Sequence, residues 1–138
     1  MNHTVTFRTF KEGDYDTCYK WWKSWWGKAG PVKEAYLPPR GRCYMIEIDG
    51  KPVAASFLYA EQLVGYLTWT VSDPEYREAN RKELIELLIT KIQEDARDNW
   101  GVKFILTVCG NKHLEKIHRK LNWYVEDSSP AYECFKYL

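Results

Sequence analysis

The sequence predicts an α/β protein in which a mixed central sheet is flanked by helices. Apolar residues recur at helical spacing in three segments, and these segments alternate with apolar runs of strand length. The order is strand, helix, irregular loop, three strands, long helix, strand, helix and strand, which favours helices packed against one sheet. The 138 residues suffice for one core, so we expect a single domain over residues 1–138.

The first third of the chain predicts one strand, one helix and a loop. Val5 to Phe10 alternate as a short strand, and Asp14 begins a helix that ends at Gly27. Pro and Gly residues from Gly30 to Arg42 predict a loop with one helical turn. The helix holds four of the seven tryptophans: Trp21, Trp22, Trp25 and Trp26.

The middle of the chain predicts three consecutive strands. Asp49-Gly50 suits the positive backbone angles of a tight hairpin turn and interrupts the run from Cys43 to Tyr59. Val64 to Val71 forms the third strand. Asp73-Pro74 ends it, because proline cannot donate a ladder hydrogen bond.

The last third predicts a long helix, a strand, a second helix and a closing strand. The long helix stops near Trp100-Gly101, and Lys103 to Cys109 is apolar enough for a central strand covered on both faces. Val64 to Cys109 then forms a right-handed parallel crossover. Asn111 to Leu121 is the second helix, and Tyr132 to Tyr137 the closing strand. The apolar face of the long helix comprises Leu84, Ile85, Leu88, Ile89, Ile92 and Ala96.

Composition and charge exclude several classes of protein. The 20 basic and 19 acidic residues leave a net charge of +1, so no global field favours nucleic acid or an anionic membrane. The start of the chain lacks a leader pattern, and no apolar run reaches membrane-spanning length, so we expect a cytoplasmic protein. Four scattered cysteines argue against zinc and disulfides and favour buried, reduced thiols: Cys18, Cys43, Cys109 and Cys134.

Two segments carry a resemblance to a known family. DPEYREANRKELIELLI (Asp73 to Ile89) and NKHLEKIHRKLNW (Asn111 to Trp123) resemble the GCN5-related N-acetyltransferase (GNAT) family. The resemblance implies a GNAT-like sheet, acetyl-CoA as cofactor, CoA as product and an amine acceptor. That acceptor would be a small molecule, a protein lysine or a modified nucleobase. The chain also looks like divergent bacteriophage-encoded members, some of which modify DNA bases.

The resemblance also implies a cofactor site. In the family, the strand before the long helix binds pantetheine through its backbone, here at Trp69, Thr70 and Val71. The pyrophosphate lies on the next helix N-terminus, where free N–H groups and the helix dipole favour anions. The family's loop has Arg or Gln, two residues, Gly, one residue, then Gly or Ala. The aligned residues here are Arg77, Glu78, Ala79, Asn80, Arg81 and Lys82.

This loop departs from the family pattern, because Asn80 and Lys82 replace both glycines. Asn tolerates left-handed backbone angles, and Arg81 or Lys82 would add charge-assisted contacts to phosphate. In the alternative interpretation, Arg77, Arg81 and Lys82 are only the solvated face of an amphipathic helix.

The second segment implies a catalytic acid. The family has Asn, a short helix with a Tyr near its end, and a Gly-Phe step; here these positions hold Asn111, His118 and Asn122-Trp123. The resemblance thereby implies that Asn111 also binds the cofactor. That Tyr often protonates the departing CoA thiolate, and His118 would take its place as an imidazolium. Alternatively, His118 is a surface or partly buried histidine without a catalytic role.

The acceptor side and the general base stay open. In WWKSWWGKAGPVKEAYLPPRGR, exposed aromatic residues would stack on a nucleobase and basic residues would contact phosphates, or at least two tryptophans pack in the core. The aromatic candidates are Trp22, Trp25, Trp26 and Tyr36. Glu47, Glu61 and Asp73 lie near the predicted cleft, but none is assigned as the base. Other possibilities are an inactive GNAT-fold binding or inhibitory protein, and transfer from a donor other than CoA.

Overall fold

The computed structural model describes residues 2–126, 134 and 136, which form a five-stranded mixed sheet and three helices. The strands follow the order β1-β2-β3-β4-β5; β1 to β4 pair antiparallel, and β4 pairs with β5 in parallel. The predicted α/β class with a mixed sheet is therefore confirmed. The elements are β1 Val5–Thr9, α1 Asp14–Trp26, β2 Cys43–Ile48, β3 Lys51–Glu61, β4 Val64–Ser72, α2 Arg81–Asn99, β5 Phe104–Thr107 and α3 Lys112–Lys120.

The chain forms two compact units, Met1–Thr107 and Val108–Leu138. The first contains the sheet with α1 and α2, and the second contains α3. The single-domain organisation stays a prediction. Among the described residues, no helix combines the length and apolarity needed to cross a membrane.

The hairpin between β2 and β3 forms where the sequence predicts it. Asp49 and Gly50 have φ angles of +50° and +78°, the left-handed values that a tight two-residue turn requires. The Asp49 carboxylate accepts a hydrogen bond from the Thr4 amide at 2.9 Å, which ties the turn to the start of β1.

The two faces of the β2–β3 pair are apolar, and each packs against one helix of the first unit. Successive strand residues point to opposite faces, so Met45 faces α1 while Tyr44 faces α2. Trp22 of α1 packs in the cluster that contains Met45, whereas the Tyr44 hydroxyl donates to Asp95 of α2. The buried residues of α2 are Leu84, Leu88, Ile89, Ile92 and Ala96, as the helical spacing predicts; Ile85, predicted on the same face, is only partly buried.

The fourth and fifth strands pair in parallel, as predicted, but β5 is not the covered central strand that its composition indicates. It spans four residues and is the outermost strand of the described sheet. Phe104 is 61% exposed and Leu106 38% exposed, so that prediction is wrong for the described residues. An apolar run indicates that a segment forms a strand, but it does not determine the position of that strand in the sheet. The predicted strand Tyr132–Tyr137 falls largely outside the described residues.

The loop after α1 is more ordered than its composition suggests. The sequence predicts one helical turn, and the structure has two 3-10 turns, at Glu34–Tyr36 and Arg40–Arg42. The Tyr15 hydroxyl donates to the Val32 carbonyl at 2.7 Å, which fixes the loop to α1.

All four cysteines are free thiols. Cys18 and Cys43 are buried as predicted, but Cys109 is only half-buried and Cys134 is exposed, so the prediction of burial is wrong for those two.

Candidate functional site

The parallel strands β4 and β5 pair along only the first half of β4. They pair from Val64 opposite Phe104 to Leu67 opposite Thr107, whereas β4 continues to Ser72. The Thr107 hydroxyl donates to the Leu67 carbonyl at 2.7 Å and closes the paired section. Beyond that point, no described strand pairs with this edge of residues 68–72, and a strand edge without a partner strand can bind an extended ligand.

A β-bulge lies in this unpaired section. Thr68 pairs with Phe57 and Val71 with Ala55, so two residues of β4, Trp69 and Thr70, lie opposite the single residue Ser56. Trp69 has φ +54°, which is uncommon for a residue with a side chain. The Ser56 and Thr70 hydroxyl oxygens are 2.7 Å apart and hydrogen-bonded. Two of the three predicted pantetheine-binding residues, Trp69 and Thr70, therefore lie in the bulge, and Val71 directly follows it.

Tryptophans of α1 hold the bulged segment in place. The indole Nε1 of Trp22 donates to the Trp69 carbonyl at 3.3 Å, and that of Trp25 donates to the Ser72 carbonyl at 2.8 Å. Trp22 is fully buried, and Trp25 is 48% exposed. Tyr59 packs edge-on against Trp69, with ring centroids 5.7 Å apart. Trp22 is therefore a core residue, which excludes it as a free stacking surface.

The N-terminus of α2 lacks a side-chain cap from its N-cap residue. The Asn80 side chain makes no capping hydrogen bond, because its Oδ1 accepts from the Tyr76 hydroxyl at 2.6 Å. The amide of Arg81 donates to the Glu78 carbonyl. Because the Asn80 side chain caps neither of the next two residues, the amides of Lys82 and Glu83 remain available, within the described chain, for an external acceptor. Asn80 has φ −86° and is not in the left-handed conformation that the sequence suggests for it.

The three basic residues near this terminus behave differently from one another. Arg81 lies with its guanidinium carbon 5.9 Å from the centroid of the Trp25 ring, beside the end of β4. Arg77 turns back to its own loop, where its Nε donates to the Pro74 carbonyl at 3.4 Å. Lys82 is exposed, as are Glu78 and Ala79 in the preceding loop. Of the three cations, Arg81 is therefore the one held beside the end of β4.

In the second unit, Asn111 begins α3 and Asn122 follows its end. The Asn111 Oδ1 accepts from the Leu114 amide at 2.8 Å, so this side chain serves as a helix cap. Asn122 has φ +66°, the helix-ending left-handed conformation that the sequence predicts. The Trp123 amide donates to the His118 carbonyl at 2.9 Å and completes the turn.

His118 is buried, and its surroundings favour the neutral imidazole. It is 1% exposed, its Nδ1 lies 2.8 Å from the Leu114 carbonyl, and the edge of Trp123 covers its ring at 4.6 Å. A carbonyl only accepts, so Nδ1 carries the proton and Nε2 keeps the lone pair; among the described residues, Nε2 has no partner. Burial lowers the pKa of His118 despite its hydrogen bond to Leu114. Its acid role stays a prediction.

The structure does not single out a general base. Glu47 accepts from the Arg8 guanidinium at 2.9 Å, and Asp73 accepts from the Glu75 amide at 2.9 Å. Glu61 is exposed at the end of β3.

Several residues that organise this site escape sequence reasoning. Thr107 closes the paired section, Tyr76 diverts the cap of α2, and Ser56 braces the bulge. Tyr76 alone leaves a local signal, because it lies four residues before a candidate N-cap. The partners of Ser56 and Thr107 are distant in sequence.

Comparison with solved structures identifies the fold as that of the GNAT acetyltransferases. A possible acetyltransferase from Clostridium difficile 630 superposes with a TM-score of 0.67 at 17% identity, over 96% of this chain and 99% of that chain. An acetyltransferase from Trypanosoma brucei gives 0.64 at 17% identity, over 95% and 100%. N-acetylglutamate synthase from Neisseria gonorrhoeae, complexed with coenzyme A and N-acetyl-glutamate, gives 0.57 at 17% identity, over 84% of this chain and 28% of that chain.

No protein-family model matches the sequence, and no curated protein matches it either. At these identities the likeness concerns the fold.

Proposed function

We propose that this protein is an acetyl-CoA-dependent N-acyltransferase. The observation that carries the proposal is the divergence of β4 from β5 after Leu67, directly followed by the bulged segment and the uncapped N-terminus of α2. An acceptor amine attacks the thioester carbonyl, a C–N bond forms and the C–S bond breaks. The proton released by the amine is balanced by protonation of the CoA thiolate.

In this proposal, backbone groups and one cation hold the cofactor. The backbone groups of Trp69 to Val71 that are not bonded within the protein bind the pantetheine arm; the Trp69 carbonyl is not among them, because it accepts from the Trp22 indole. The pyrophosphate lies at the start of α2, against the amides of Lys82 and Glu83. The Trp25 ring holds Arg81 where its guanidinium can reach a phosphate, which offsets part of the missing glycine loop.

Calorimetric titration with acetyl-CoA, CoA and pantetheine tests this site. We expect micromolar binding of both CoA compounds and much weaker binding of pantetheine, which lacks the phosphates. Arg81→Glu should weaken CoA binding by about tenfold, because it replaces a charge-assisted contact with repulsion. Lys91→Glu is the matched control: it changes the same charge on an exposed site of the same helix, roughly 15 Å further along its axis. Failure of both CoA compounds to bind would refute the proposal.

We further propose that His118 delivers the proton to the thiolate through Nε2. Because burial lowers its pKa, the imidazolium is the minor form at neutral pH, and kcat should fall as the pH rises above that pKa. His118→Gln should remove this slope. A wild-type kcat that does not change between pH 5.5 and 8, together with an unaffected variant, would exclude His118 as the acid.

The acceptor is proposed as a class only: an amine on a small molecule, a protein lysine or a modified nucleobase. Half-exposed Trp25, Trp26 and Tyr36 leave aromatic surface for such a molecule. The resemblance to bacteriophage-encoded members motivates a screen that includes aminated DNA bases. If no CoA compound binds, a GNAT-fold binding or inhibitory protein becomes the better interpretation, tested by pull-downs with nucleic acid and host proteins.

A further inference from the structure

A second concave site lies apart from the residues assigned to acyl-CoA. It is a cavity of about 310 Å³ between the end of β1, the start of α1 and the loop that follows α1. None of the described residues that line it belongs to the bulged segment or to the N-terminus of α2. A water molecule occupies about 30 Å³ of liquid, so the cavity has room for roughly ten non-hydrogen atoms.

Part of the cavity wall is apolar, and specific contacts hold these residues in place. Phe10 packs against the buried cluster beneath α1. The Tyr15 hydroxyl donates to the Val32 carbonyl at 2.7 Å, and the Cys43 thiol donates to the Pro38 carbonyl at 3.2 Å. Three separate parts of the chain are thereby fixed around one space, as in preformed small-molecule sites, which commonly start near this volume.

Three charged residues line the same cavity: Lys11, Glu34 and Arg40. Within the described part of the chain, none of their side chains is hydrogen-bonded or ion-paired. All three residues are exposed, so a ligand in the cavity can reach their charges from the solvent side. Two cations and one carboxylate match a ligand that carries both an anionic and a cationic group.

We propose that this cavity binds an α-amino acid with an apolar side chain. The side chain packs on Phe10, Tyr15 and the proline wall, the carboxylate pairs with Arg40 or Lys11, and the ammonium pairs with Glu34. The proposal does not depend on acyl-CoA binding, because the two sites share no described residue.

Calorimetric titration without CoA tests the proposal with three probes: L-phenylalanine, 3-phenylpropionate, which lacks the ammonium group, and 2-phenylethylamine, which lacks the carboxylate. L-phenylalanine should bind saturably, and each of the others about fivefold more weakly. Arg40→Gln should weaken L-phenylalanine and 3-phenylpropionate but not 2-phenylethylamine. Glu34→Gln should weaken L-phenylalanine and 2-phenylethylamine instead. Arg97→Gln, at an exposed site on α2, is the control and should leave all three affinities unchanged.

Amide chemical shifts give an independent location. With L-phenylalanine, the largest changes should fall at Phe10, Tyr15 and Cys43. The proposal would be overturned by an absence of saturable binding, by affinities that neither Arg40→Gln nor Glu34→Gln changes, or by amide chemical-shift changes centred elsewhere.

Discussion

At the scale of single residues, a buried ion-pair cluster should contribute most to stability, and no local sequence pattern predicts it. Arg8 donates to Asp14 at 2.6 and 3.1 Å and to Glu47 at 2.9 Å, and all three side chains are largely buried. Hydrogen bonds from Arg8 thereby join β1, the start of α1 and β2. Removal of the guanidinium would leave two buried carboxylates without their cation.

Arg8→Met should therefore lower the free energy of unfolding by about 3–5 kcal/mol. Urea denaturation measures the change. The control Arg97→Met removes an exposed guanidinium paired with Asp98, and its effect should be far smaller because solvent screens that pair. Equal losses in both variants would show that burial of the cluster contributes nothing.

Asp14 should make stability depend on pH. Burial alone would raise its pKa, but hydrogen bonds from Arg8 and from the Lys11 amide outweigh burial and hold the pKa below its usual 3.8. The unfolded chain then binds a proton first, so this contribution is complete above about pH 5 and is lost as the pH falls through the lowered pKa.

Asp14→Asn should accordingly flatten the decline in unfolding free energy between pH 5 and pH 3, measured by urea denaturation at each pH. Asp98→Asn is the exposed control and should leave most of that decline in place. An unchanged decline in Asp14→Asn would assign the pH dependence to other carboxylates.

At the scale of elements, α1 contacts and supports both the bulged strand β4 and the loop that follows α1. Its indoles hydrogen-bond to the carbonyls of Trp69 and Ser72, and Gly30 lies close against its last turn. A Cβ on Gly30 would lie 2.4 Å from the Trp26 Cβ and 3.0 Å from the Trp22 carbonyl oxygen. The backbone there has no room for a side chain.

Gly30→Ala should consequently destabilise the protein by about 1–3 kcal/mol, because the loop must shift away from α1. The matched control is Gly41→Ala in the same loop, where the added Cβ would meet its nearest atom, in Trp100, at an ordinary 3.8 Å. Gly41→Ala should remain within about 0.5 kcal/mol of the wild type. Thermal and urea denaturation compare the two variants.

At the scale of the whole molecule, a ligand that binds only the folded chain must stabilise it. Acetyl-CoA at a hundred times its dissociation constant should add about 2.7 kcal/mol to the free energy of unfolding. For a chain of this length, that corresponds to a Tm increase of roughly 10 °C. Differential scanning fluorimetry should show the increase in Lys91→Glu, and at the same acetyl-CoA concentration a clearly smaller one in Arg81→Glu. Equal Tm increases in both variants would show that the acetyl-CoA phosphates do not contact Arg81.

The parallel β4–β5 pair follows from the strand-helix-strand order and appears as predicted. The ends of α1 and α3 and the Asp49-Gly50 hairpin follow from local signals, and they also appear as predicted. Residues four or fewer apart decide these features, through periodicity, turn chemistry and capping. The position of β5 could not be predicted in this way. Its apolar composition is compatible with several places in a sheet, and Phe104 and Leu106 are exposed in the described part.

The sequence by itself determined the α/β class, the order of elements and the left-handed Asn122, because each depends on neighbouring residues. Only the tertiary structure decided that β4 leaves β5 at Leu67, that Trp69 is bulged and that Trp25 positions Arg81. It also decided that Asn80 bonds to Tyr76 rather than capping α2, and that a cavity opens behind Cys43. With the exception of the Tyr76–Asn80 bond, these features join segments that are distant along the chain, and no local pattern encodes such distances.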